Sequence, residues 1–277
     1  MKKLKILSVL TAGAFMFYSC NTSEMAAPSN EVSSEALSIL ENAGFDIKNQ
    51  APINFEDGYL VEGDIYIPKA DMHSLKEGNR LPVEEQYSTT NLVSAAGGRV
   101  ITMYALEGGN SGYSPGMIAG LDEAIARYNA QNLNITFQRI TTNNADITMT
   151  RLRKGEERQG ILGSAGFPTA AGDPYNEIKM SGILESTYRL STAGIATIIA
   201  HEMGHCVGFR HTDYFDRSIS CGGAASNEGT AGVGANLIPG TPSGANPATD
   251  LSWMLSCTDG GDRPFTGNDQ TALNYLY

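Results

Sequence analysis

Residues 201–211 read His-Glu-Met-Gly-His-Cys-Val-Gly-Phe-Arg-His, and three of the chain's four histidines fall inside this run. On an α-helix, positions 201 and 205 lie one turn apart on the same face, so both imidazoles can reach one point. The upstream residues predict that helix: Ser191 or Thr192 as its cap, then Ile195, Ile198 and Ile199 at helical spacing. Two imidazole nitrogens suit Zn²⁺, and a third protein ligand completes an open tetrahedral site whose fourth position takes water. Gly208 is suited to end the helix with φ > 0, which turns the chain and returns His211 to the metal, whereas a continued helix would carry it away. The expectation is one Zn²⁺ held by His201, His205 and His211, with Glu202 as general base toward a water whose pKa the ion lowers to about 7. The competing reading is a helix whose histidines only satisfy core hydrogen bonds. A glycine and a third histidine at fixed spacing count against it.

Composition narrows the setting. The chain has 277 residues, 41% of them hydrophobic, and a net charge of −11, which disfavours a nucleic-acid partner. Lys2, Lys3 and Lys5 precede an apolar run from Ile6 to Tyr18, and Ser19 stands before Cys20, the order of a secretory signal. The run is too short to span a bilayer. Ser19-Cys20 resembles a bacterial lipobox, which implies cleavage after residue 19 and a membrane anchor on Cys20. A plain signal peptide with an incidental Cys20 is the alternative. The protein is thus expected to be an exported, membrane-anchored bacterial lipoprotein of the outer membrane or cell surface, and a monomer.

Residues 21–35 suggest a polar tether, followed by a short helix through Ala36, Leu37, Leu40 and Ala43 that ends near Gly44. Tyr59–Val61 and Ile65–Ile67 have strand character, interrupted by Glu62-Gly63-Asp64, and a polar stretch runs from Ser74 to Thr90. We place a boundary at Gly97-Gly98. Beyond it come a strand over 100–104, a helix capped by Ser114 with Pro115 at its first position, strands around 133–137, 145–149 and 177–180, and the histidine helix. Residues 222–249 are rich in Gly, Ala, Ser, Asn and Pro and suggest an irregular surface segment before a closing helix over 268–276. The division is 1–19 signal peptide, 20–98 lipid-anchored tether and pro-region or accessory domain, and 99–277 catalytic domain.

Downstream, Ser252-Trp253-Met254 within Asp250–Leu255 resembles a methionine turn. With the histidine run, the chain resembles the metzincin clan of zinc peptidases. The run His-Glu-Met-Gly-His followed by Cys-Val-Gly-Phe-Arg-His-Thr-Asp is similar to the bacterial dual-action HEIGH metallopeptidases. The resemblance implies an α/β (α+β zincin) fold: a twisted, mainly parallel sheet with an antiparallel edge strand that pairs with extended substrate, an active-site helix, and Met254 beneath the metal. It also implies His201, His205 and His211 as ligands and Glu202 as the base. The astacin pattern has Glu directly after the third histidine and Tyr soon after the turn methionine. Here Thr212 and Leu255 stand in those places, so no astacin-type tyrosine ligand is expected, and Asp213 and Tyr214 are left as candidates for a further polar role.

Val61-Glu62-Gly63-Asp64 resembles the F-x-G-D element of astacin pro-regions, in which an aspartate sits on the catalytic zinc; an ordinary turn between two strands is the other reading. Of the three thiols beyond Cys20, Cys206 lies in the histidine helix, while Cys221 and Cys257 flank the Gly-rich segment and are the favoured disulfide. Two functions follow. One is a secreted, surface-anchored zinc endopeptidase acting on peptide or protein substrates. The other is a non-catalytic cell-surface binding or adhesion module that retains a zincin fold.

Overall fold

A computed structural model describes residues 31–75, 86–230, 232–242 and 250–277; the expected signal peptide and Cys20 lie outside the described residues. Ser33 accepts a hydrogen bond from the Ala36 amide at 3.2 Å and starts α1 (Ser34–Ala43), which Gly44 ends in the left-handed region at φ 98°. Three short strands follow: β1 (Ile53–Phe55), β2 (Gly58–Val61) and β3 (Ile65–Pro68). After the two-residue β4 (Tyr87–Ser88), the main α/β unit comprises β5 (Arg99–Ala105), α2 (Pro115–Asn129), β6 (Ile135–Ile140) and β7 (Ile147–Arg151). It continues through α3 (Lys154–Glu157), β8 (Gly163–Ala165), β9 (Glu177–Met180) and α4 (Thr192–Val207). The chain closes with α5 (Ser218–Cys221), β10 (Asn236–Leu237) and α6 (Gly267–Leu276).

One eight-stranded sheet runs in the order β1-β2-β3-β8-β9-β7-β5-β6. The pairs β5/β6, β5/β7, β7/β9 and β3/β8 are parallel, and β8/β9, β2/β3 and β1/β2 are antiparallel, which is the mainly parallel zincin-like sheet expected. In β5, Ile101, Met103 and Ala105 alternate into the core, and α2 turns Met117, Leu121, Ala124 and Tyr128 inward at helical spacing. Helices α2 and α4 meet closely at Gly120, where a Cβ would stand 2.5 Å from the Ile195 side chain. That contact seats α4 against the core that α2 shares with the sheet, and every residue of α4 from Gly194 to Val207 is buried.

Sequence patterning does not reveal β8, because Gly163, Ser164 and Ala165 have neither strand-favouring bulk nor an alternating pattern. It runs antiparallel to β9, as the expected substrate-pairing edge strand would, yet it is not an edge. Its outer side is taken by β3, with the Ala165 amide donating to the Asp64 carbonyl at 3.0 Å and Ile65 paired with Ala165. At the expected boundary, Gly97 and Gly98, both at positive φ, make a turn before β5, and the segments on either side of it share this one sheet.

Among its described residues the Gly-rich segment is largely irregular and exposed at 222–225, as expected, but part of it turns inward. Glu228 and Ser226 are buried, and β10 pairs antiparallel with β4. Backbone pairing and single buried polar side chains hold its described part, and neither produces a hydrophobic period.

Candidate metal centre

Ser191 caps α4 by accepting from the Gly194 amide at 3.1 Å, and the helix runs without interruption to Gly208. There φ is 107°, and the amides of Gly208 and Phe209 close onto the His205 and Gly204 carbonyls at 2.9 Å each. This reversal brings the Phe209 carbonyl back to within 2.9 Å of His205 Nδ1 and directs His211 toward the helix face it has just left. The three imidazole centroids lie 4.7, 4.9 and 5.2 Å apart.

His201 Nδ1 donates to the Trp253 carbonyl and His205 Nδ1 to the Phe209 carbonyl, each at 2.9 Å. Backbone carbonyls only accept, so both Nδ1 atoms carry the proton, and in the neutral rings both Nε2 atoms present lone pairs. Those two Nε2 atoms face each other at 3.1 Å. A shared cation stabilises such a pair. His211 Nε2 points to the same place, and Asp64 Oδ2 lies 3.2 Å from it and 3.5 Å from His201 Nε2. One ligand atom from each of Asp64, His201, His205 and His211 falls within 4.8 Å of the others, so the donor set fits a metal that takes imidazole and carboxylate, zinc above all.

Glu202 stands beside this cluster in a cavity of about 240 Å³ that is also lined by Asp64, His201, Leu162, Leu255 and Arg263. Its Oε2 is buried without a hydrogen-bond partner among the described residues, as is Asp64 Oδ1. Burial, and then the nearby Asp64 charge, push the Glu202 carboxyl well above the usual carboxylate range. Strand β8 passes directly over it: a Cβ on Gly163 would stand 2.4 Å from Glu202 Oε1.

Met254 lies under the helix, with its sulfur 2.5 Å from where a Cβ on Gly204 would be. The turn also grips the segment that carries His211, since the Thr212 amide donates to the Met254 carbonyl at 2.8 Å and Thr212 Oγ1 lies 2.8 Å from Ser252 Oγ. Thr212 therefore ties the third histidine to the turn. Asp213 is buried and accepts from the backbone and hydroxyl of both Ser220 and Ser256 at 2.6 to 3.2 Å, and Tyr214 packs edge-on against Tyr87. Both are fully buried. Cys221 and Cys257 are joined in a disulfide, and Cys206 is a buried free thiol.

Sequence reasoning missed Glu228. Its Oε1 lies 2.7 Å from His211 Nδ1 and 2.5 Å from Arg217, and its Oε2 lies 3.3 Å from Arg210. Burial alone would raise this carboxyl, but the charges of His211 and Arg217 hold it well below the usual range. Glu62 lies on its other side, its carboxyl pushed well up by burial and by the Glu228 charge. A glutamate in a Gly-, Ser- and Asn-rich stretch carries no signal that would separate it from a solvated loop residue.

A mainly parallel sheet, a buried helix presenting two histidines, a glycine reversal returning a third, and a methionine turn beneath them define a zincin-like metallopeptidase. The family model for the dual-action HEIGH metallo-peptidases matches residues 59–277, and the chain belongs to that family of peptide-bond hydrolases. The match begins at Tyr59 and so takes in Asp64 with the three histidines. No curated protein matches the chain. Two solved structures of myroilysin are similar to it. One has 14% identity over 68% of this chain and 96% of that one at a TM-score of 0.37. The other has 16% identity over 73% and 99% at a TM-score of 0.40.

Proposed function

We propose that the protein is a zinc endopeptidase made in a latent form, with His201, His205 and His211 as ligands and Glu202 as general base. The observation that carries the zinc site is the pair of Nε2 lone pairs facing each other at 3.1 Å with both Nδ1 protons committed to backbone carbonyls. Zinc, when bound, supplies the Lewis acidity that lowers the pKa of a water and polarises the scissile carbonyl. Glu202, buried and without a hydrogen-bond partner at Oε2 among the described residues, accepts the proton of that water and delivers it to the departing amine. Strand β8 offers its outer backbone to an extended peptide, a mode of capture that needs no particular side chain.

Latency is supported by what occupies that edge. Strand β3 runs along β8, and Asp64, at its start, directs its carboxylate between His201 and His211. A substrate would need both places, so we propose that residues 20–98 act as a pro-region whose release frees edge and site together. Export and anchoring through Cys20 belong to the same reading and rest on the N-terminal sequence alone; Cys20→Ser should shift the protein from the membrane to the soluble fraction. No observation at the site favours a non-catalytic binding module over catalysis.

The test is metal analysis of the purified chain together with cleavage of a mixed peptide library before and after limited proteolysis. Zinc near one per chain, with internal cleavages that grow after processing, is the expected result. A chain that binds no zinc under any condition contradicts the reading.

A further inference from the structure

Each of the three histidines has its Nδ1 engaged, but not in the same way. His201 and His205 use backbone carbonyls supplied by the methionine turn and by the reversal after α4. His211 lies beyond the helix and uses a side chain, Glu228, at 2.7 Å, from the segment that the disulfide at Cys221 and Cys257 encloses. Glu228 is wholly buried. Its Oε1 also accepts from Arg217 at 2.5 Å and Ser256 at 3.3 Å, its Oε2 accepts from Arg210 at 3.3 Å, and its amide donates to the Tyr214 carbonyl at 2.7 Å. A buried carboxylate is costly unless it is paired and fully hydrogen-bonded, so this arrangement selects one rotamer and one direction for the carboxylate.

We propose that Glu228 is the positioning residue for His211: it holds the Nδ1 proton, turns Nε2 toward the point shared with His201 and His205, and is itself fixed by Arg210 and Arg217. A carboxylate acceptor also raises the basicity of the opposite ring nitrogen, so His211 becomes the strongest donor of the three. The inference rests on the reading of His211 as a zinc ligand. In this arrangement the Gly-rich segment is more than a surface loop, because it carries the group orienting the one ligand that the helix cannot orient.

The experiment uses the full chain loaded with zinc and labelled with ¹⁵N-histidine. With Nε2 toward the metal, three ring Nδ1–H signals are expected, and the one bonded to a carboxylate should lie furthest downfield. Glu228→Gln should move that signal alone and weaken zinc binding, measured by competition with a chromophoric chelator, by roughly tenfold to a hundredfold. Three Nδ1–H signals in one narrow range in the wild-type chain would overturn the proposal, and this reading needs no variant to fold. A folded Glu228→Gln chain with wild-type zinc affinity would overturn it too. His211→Ala, measured alongside, separates the two readings: if it keeps wild-type affinity, the ligand assignment falls and the positioning role with it. If it loses zinc while Glu228→Gln does not, only the positioning role falls.

Discussion

Gly204 and Met254 are in contact across the floor of the site: a Cβ on Gly204 would stand 2.5 Å from the Met254 sulfur and 3.3 Å from both its methyl and Trp253 Nε1. The residue directly before His205 must therefore be small, and the turn can close only because it is. Gly204→Ala should destabilise the chain by about 1–3 kcal/mol through overpacking, read from urea unfolding. Met254→Ala in the same chain should recover part of the loss, because the sulfur is the first atom displaced.

Gly163 has the corresponding relationship with Glu202 on the other side of the helix. Gly163→Ala should displace the Glu202 carboxylate while leaving the histidines in place. We expect hydrolysis to fall by roughly a hundredfold, mostly in kcat, with zinc content unchanged. Loss of zinc in that variant would mean that β8 supports the ligands rather than the base.

The histidine run was legible because a helical period, a terminating glycine and a third histidine are all local in the sequence. Ser114 with Pro115, and Gly44 after Ala43, were legible for the same reason, since caps are local chemistry. What was hidden is non-local. Strand β8 is three small residues recognised only by pairing with β9 and β3, and β3 reaches it across about a hundred intervening residues by backbone hydrogen bonds. Glu228 acquires its significance only because folding buries it against His211, and its sequence neighbours, Asn227 and Gly229, suggest a loop.

Asp64 offers a direct test of latency. With its carboxylate between His201 and His211, Asp64→Ala in the uncut chain should raise peptide hydrolysis by an order of magnitude or more, about 1.4 kcal/mol at the least. Equal rates for the wild-type chain, the Asp64→Ala chain and the proteolytically trimmed chain would make residues 20–98 a permanent part of the enzyme.

Asp269 controls a pH dependence of folding. It caps α6 through the Thr266 amide at 2.9 Å and accepts from Gln86 at 2.5 Å, and burial pushes its carboxyl up to about 6 from an ordinary 3.8. Between these values the native state holds the proton and the unfolded state does not, so this group's contribution to stability is fully present below about pH 4 and is lost as pH rises through about 6. The loss attributable to this group is on the order of 3 kcal/mol. In urea unfolding, the stability of Asp269→Asn relative to wild type should rise between pH 4.5 and pH 7, and a difference between the two proteins that does not change with pH would remove Asp269 as a cause.

The measurement that tests the central claim most directly is zinc content and peptide hydrolysis of Glu202→Ala, made in both the wild-type and the Asp64→Ala chain. On the proposed roles, in which Glu202 moves the proton and does not hold the ion, the variant should keep about one zinc per chain while hydrolysis falls by orders of magnitude. Hydrolysis that survives the loss of Glu202 with zinc in place would contradict the account.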